Sequence, residues 1–152
     1  MTQHGLTGET RVLSGGLSED EGAGAARALL AGILPTAVTV FNDRCATGAL
    51  DVLRRAGLGV PGDISVVGYD DSRLARLSHI DLTTVAQDTA QMTTLAVARA
   101  VDRLDGVGIT ERELVTPPRL VVRSTTAAPP EAGPSHSASP TLLGTRDSRK
   151  SR

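Results

Sequence analysis

Two polar pairs carry most of the chemistry this sequence can offer. Asn42-Asp43 follows Phe41, the chain's only phenylalanine, and Asp70-Asp71 follows Tyr69, its only tyrosine. Apolar runs precede both pairs, Thr36–Val40 in one case and Ile64–Val67 in the other. If those runs are parallel strands, both pairs stand at strand C-terminal ends, where open α/β sheets bind small ligands. The Asn42 amide both donates and accepts, which suits adjacent hydroxyls of a sugar. A carboxylate that accepts from two hydroxyls makes stronger, charge-assisted bonds. One of Asp70 and Asp71 is expected to shape a turn, leaving the other for a ligand. Asp43 reads first as the cap of the helix that follows. For Phe41 and Tyr69, lining a pocket and filling core both stay open.

Other chemistries fit less well. Gly57-x-Gly59-x-x-Gly62 matches the dinucleotide string, but its glycines close a helix and lead into a strand. A phosphate site needs the reverse order, with the helix N-terminus facing the pyrophosphate. A glycosidase needs two carboxylates at least about 5 Å apart, astride the scissile bond. Adjacent Asp70 and Asp71 cannot easily do this, and no nucleophile–base pair or metal cluster appears, so an enzyme is not expected. His4, His79 and His136 are too scattered to suggest a metal site. The single Cys45 excludes an internal disulfide and reads as a small buried residue. No cofactor is implied.

The elements that would position these residues alternate. Arg11–Ser14 is a short strand candidate. Ser18-Glu19-Asp20-Glu21 is a capping box opening a helix to about Ala31. Thr36–Val40 reads as a buried strand. A helix over 44–56 carries Ala46, Ala49, Leu50 and Leu53 on one stripe. Ile64–Val67 is a strand, 68–81 a loop with some helical character, and Leu82–Ala86 a further strand. A helix over Thr89–Leu104 ends at Asp105-Gly106. Leu114-Val115 and Leu120–Val122 are strand candidates broken by Pro117-Pro118. The alternation predicts an α/β fold with a mostly parallel, doubly wound sheet.

Composition bounds the rest. The 152 residues permit one domain and little more, with 39% hydrophobic content and only 1% aromatic. The core must therefore be Val, Leu, Ile and Ala. Residues 127–152 are rich in Pro, Ser, Ala and Gly, which predicts a disordered, basic tail. Four basic residues there against two acidic make the tail about +2, so with the chain at −1 the body is about −3. A body of that charge has no electrostatic footprint for nucleic acid. The sequence has no apolar run of membrane-spanning length and no secretory pattern, so a cytoplasmic protein without a membrane partner is expected.

Several segments, in order, resemble the effector-sensing domain of the LacI/GalR family of bacterial transcription regulators. They are GGLSEDEGAGAARALLA from Gly15, PTAV…ND…A.GAL from Pro35, AGLGVPGDISVVGYDD from Ala56, LTTV.QD from Leu82, and PRLVVRS from Pro118. The resemblance covers about 4–126 and gives a boundary at 126, with the tail beyond. It implies a periplasmic-binding-protein-like fold, with chiefly one of the two lobes present. It also implies a small-molecule effector, usually a sugar. By this resemblance Asn42, Asp70, Tyr69, Gln87 and Thr89 are effector-site positions, and Thr47 and Leu77 lie at a homodimer interface. The family's helix-turn-helix DNA reader has no counterpart here, so DNA contact is expected only through a domain absent from this chain. A non-functional remnant of such a regulator, or a cytoplasmic relative of a transporter's sugar-binding protein, are the alternatives. Two departures stand out: Asp81 occupies a usual Pro, and Thr89 a position often aromatic. The helix over Thr89–Leu104 would belong against the missing lobe, leaving Leu95, Val97, Val101 and Leu104 without a partner.

Overall fold

A computed structural model describes residues 10–108 and 113–129. The elements run α1 (Glu19–Leu30), β1 (Ala37–Thr39), α2 (Asp43–Arg55), β2 (Ser65–Tyr69), β3 (Thr83–Ala86), α3 (Thr89–Leu104) and β4 (Arg119–Val121). They form a four-stranded sheet in the order β1-β2-β3-β4. The first two pairings are parallel, with Val38 opposite Val66 and Gly68 opposite Thr84, and β4 joins β3 antiparallel. This is the mostly parallel α/β sheet expected. The tail beyond 129, with His136, lies outside the described residues, as does His4.

The capping box forms as read. Ser18 Oγ accepts from the Glu21 amide, and the Glu21 carboxylate accepts from the amides of Leu17 and Ser18. The Ser18 hydroxyl also donates to the Glu21 carboxylate at 2.7 Å, and this bond, followed by those from the two amides, holds the Glu21 carboxyl below its ordinary range. Ala26 and Leu29 of α1 are buried against α2, whose Ala46, Ala49, Leu50 and Leu53 meet Ile64, Val66 and Leu82 in one core. The two helices approach closely enough that side chains are excluded at the crossing. A Cβ on Gly22 would run into the Cys45 carbonyl, and one on Gly48 into the Glu19 carbonyl. Cys45 is buried in the same seam, and its thiol donates to the Gly16 carbonyl at 3.1 Å. Burial, with the nearby charge of Glu21, pushes that thiol up from its ordinary pKa.

The start of β3 is completed by a distant segment. β3 opens at Thr83, opposite Val67, which would leave the Val66 backbone unmatched on that side. Thr125 supplies the missing row. Its carbonyl accepts from the Val66 amide at 2.8 Å, and its hydroxyl donates to the Val66 carbonyl at 2.7 Å and accepts from the Thr83 amide at 2.9 Å.

Four expectations need correction. The strand read over Thr36–Val40 is not buried: β1 is an edge strand, with Ala37 and Thr39 exposed and Val38 half-buried. Arg11–Ser14 and Leu114-Val115 form no strand, because a strand needs a neighbour to complete its ladder and neither finds one among the described residues. Val12 and Val115 are accordingly exposed. Asp43 is not the cap of α2. Asn42 holds the extended backbone that a cap requires, and Asp43 is the first helical residue. At Asp81, by contrast, the departure from proline acquires a reason. Its φ is 43°, which a pyrrolidine ring forbids, and its carbonyl and carboxylate both accept from the Ser124 amide. No residue of α3 is buried: Leu95 is partly covered, while Val97, Val101 and Leu104 are exposed.

Candidate functional site

The parallel strands β1, β2 and β3 end side by side, and the residues just past their ends enclose an open crevice of about 330 Å³. Phe41, Asn42, Tyr69, Asp70 and Gln87 line it. Backbone bonds carry the strand order up to this rim: Val40 N–H donates to the Val67 carbonyl at 2.8 Å, and Asp70 N–H to the Val85 carbonyl at 2.9 Å. Four of the five effector-site expectations therefore converge. Thr89 does not join them. It opens α3 two residues past Gln87, exposed, with its amide donating to the Gln87 carbonyl. Phe41, left open between pocket and core, is a lining residue with 70% of its surface exposed.

Asn42 has divided duties. Its Oδ1 accepts from the Cys45 amide at 2.8 Å, and its Nδ2 donates to the Leu17 carbonyl at 3.1 Å. An amide has two donor hydrogens and two acceptor lone pairs, so one of each remains for a ligand. The capping bond also fixes the rotamer, which sets the direction in which those spare groups point.

Asp43 underlies the crevice without opening into it. Fully buried, its carboxylate accepts from the Ser72 amide at 2.7 Å and from the Thr84 hydroxyl at 2.6 Å. Gly68 makes room for it, since a Cβ there would strike its Oδ1. The Ser72 hydroxyl is buried beside it and has no partner among the described residues. Asp43 thus ties α2 to β3 and to the loop after β2, a role its sequence position did not suggest.

Asp70 and Asp71 take different places, Asp71 ion-paired within the turn and Asp70 lining the crevice. Both have positive φ, 111° and 49°. Two such non-glycine residues in succession cost about 1–3 kcal/mol each, so the surroundings must hold them. Asp71 is held strongly. Its Oδ1 pairs with Arg123 Nη2 at 2.5 Å and its Oδ2 with Arg76 Nη2 at 2.7 Å. Burial alone would raise the Asp71 pKa, but the hydrogen bonds from Arg123 and then Arg76 outweigh it and leave the group below its ordinary value. Asp70 is nearly free by comparison. Its one side-chain partner among the described residues is Gln87 Nε2 at 3.5 Å. Burial, and then the charge of Asp43, raise its pKa against the opposing bond from Gln87. The crevice thus offers two aromatic faces, two amides and one carboxylate, with no cation among its lining residues.

The described residues hold no group of three or more His, Cys, Asp or Glu placed for a metal ion. None of their helices is long and apolar enough to cross a membrane.

The sequence profile of the periplasmic binding protein-like domain matches residues 1–126. This chain belongs to the periplasmic-binding-protein-like family. It is 39% identical over 131 residues to the HTH-type transcriptional regulator MalR of Streptomyces coelicolor, covering 84% of this chain and 38% of that protein. It superposes on a crystal structure of a LacI transcriptional regulator from a Rhodococcus species with a TM-score of 0.76 and 50% identity, over 82% of this chain and 46% of that one. A complex of the transcriptional regulator CelR with cellobiose gives 0.69 and 34%, over 79% and 38%. The chain thus spans less than half the length of these relatives, which are transcriptional regulators and not enzymes.

Proposed function

We propose that the crevice at the ends of β1, β2 and β3 is one wall of an effector site, and that the effector is an uncharged sugar. The observation that carries this reading is the lining itself: Phe41 and Tyr69 supply apolar faces for a sugar ring. Asn42, Asp70 and Gln87 supply donors and acceptors for its hydroxyls. A carboxylate with no cation beside it disfavours an anionic ligand and favours hydroxyl groups that donate to it. The cellobiose complex of CelR, a protein of the same fold, supports the sugar class.

In this reading the whole regulator responds because effector prefers one arrangement of its two lobes, and DNA is contacted through a domain outside this chain. The regulator is a cytoplasmic homodimer, with Thr47 of α2 and Leu77 of the β2–β3 connection at its interface. Leu77 is 41% exposed, which leaves it available for that contact. Thr47 is partly covered and donates to the Asp43 carbonyl. A thermal melt of the purified chain with a panel of neutral mono- and disaccharides tests the effector reading. One sugar at a hundred times its Kd is expected to stabilise the fold by about 2.7 kcal/mol. Asp70→Asn should remove that gain, and a panel that moves neither protein would refute the reading.

A further inference from the structure

We propose that Arg123, acting through Asp71 with Arg76, is a positioning residue that holds the Asp70 carboxylate in the crevice. The proposal rests on the effector-site reading above. Its argument begins with the backbone. Asp70 and Asp71 are two successive non-glycine residues at positive φ, a conformation that persists only where its surroundings enforce it. The enforcement falls on Asp71 and its flanks. Arg123 bridges Asp71 Oδ1 to the Leu82 carbonyl, at 2.5 and 2.8 Å. Arg76 Nη2 grips both Asp71 Oδ2, at 2.7 Å, and the Asp71 carbonyl, at 3.1 Å. The next amide, that of Ser72, is fixed by buried Asp43.

Asp70 itself takes almost no part. Its amide completes the ladder to Val85, while among the described residues its side chain bonds only Gln87, at 3.5 Å. A carboxylate with so few bonds of its own stays at the rim because the turn beneath it is locked. The lock reaches 52 residues along the chain to a segment just past the end of β4, so the site depends on a residue that does not line it.

Charge and geometry predict opposite results when the lock is opened, which makes the proposal testable without a ligand. Asp43 is the charge that acts on Asp70, and the next residue, Asp71, is itself paired with Arg76 and Arg123. If Arg123 only neutralised this cluster, Arg123→Gln would remove a positive charge and raise the Asp70 titration midpoint further. If Arg123 positions the turn, the same change lets Asp70 move away from Asp43, and its midpoint falls toward the ordinary aspartate value. Carboxyl carbon NMR titration of the full chain reads this, with Asp70→Asn assigning the signal. The expected result is a fall in Arg123→Gln and a smaller fall in Arg76→Gln, with Arg123→Lys recovering part of the shift. A rise, or no change, in the folded variants would overturn the proposal. Arg76 is 62% exposed and its variant decides the sign if Arg123→Gln does not fold. Titrating the unsubstituted protein with the sugar panel then separates the two ideas. Silence there refutes the effector site, whereas the Asp70 midpoint in the arginine variants decides the lock.

Discussion

At the scale of single residues, the two neighbouring aspartates respond to pH in opposite ways. Asp71 has a depressed folded pKa, so it contributes stability above the unfolded aspartate value, near 3.9, and loses that contribution as pH falls through the lower folded value. Asp70 has a raised one, so the stability associated with its neutral form is present at low pH and is lost as pH rises through the folded value. Asp71→Asn is therefore expected to destabilise the protein by about 2 kcal/mol at pH 7 and by progressively less below pH 4, because charged hydrogen bonds of this kind are worth about 1.5–3 kcal/mol. Urea denaturation at pH 7 and at pH 3 checks the difference, and an equal loss at both would be incompatible with it. The sequence exposed the residue types at this site but not all their assignments. Asn42 and Asp43 are both good caps, and only the backbone at Asn42 decides between them. The division between Asp70 and Asp71 was legible as a division. Which residue takes which role depends on Arg123, and no local pattern encodes a partner that distant.

Among the elements, the α1–α2 crossing is the most constrained. Two glycines, Gly24 of α1 and Gly48 of α2, make opposite predictions on replacement by alanine. Gly24 lies mid-helix with open space around it, so Gly24→Ala should stabilise the protein by about 0.5–1 kcal/mol through helix propensity alone. Gly48→Ala drives a methyl group into a backbone carbonyl of the other helix and should cost about 1–3 kcal/mol. Chemical denaturation of the pair measures both, and a gain at Gly48 would mean the helices are free to separate. The helices themselves were legible because caps and periodicity are local. The Ser18–Glu21 box placed the start of α1, and Thr89–Leu104 was read with the boundaries observed. Arg11–Ser14 failed because a strand is defined by its neighbour, and a β-prone tetrapeptide says nothing about whether one is present.

For the molecule as a whole, burial is uneven. The core gathers between α1, α2 and the sheet, while α3 presents Met92, Val97, Val101 and Leu104 to solvent and buries nothing. Local stability follows buried contact, so α3 belongs at the low end of the range. Limited proteolysis is expected to cut within 89–108 well before 43–69, and equal resistance along the chain would show that α3 is protected in solution. The apolar pattern of α3 was visible from the sequence, and Val97, Val101 and Leu104 of that pattern are exposed.

The Thr125 row sets an order for making this protein. The Val66 carbonyl waits for a hydroxyl 59 residues downstream. A ribosome delivers β1, α2 and β2 well before that hydroxyl exists, so the nascent sheet carries an open row throughout the synthesis of β3, α3 and β4. A message cut short before codon 125 would yield a chain with nearly every element and no closure. Such a chain exposes unpaired strand backbone, the feature that aggregation and cellular proteases act on.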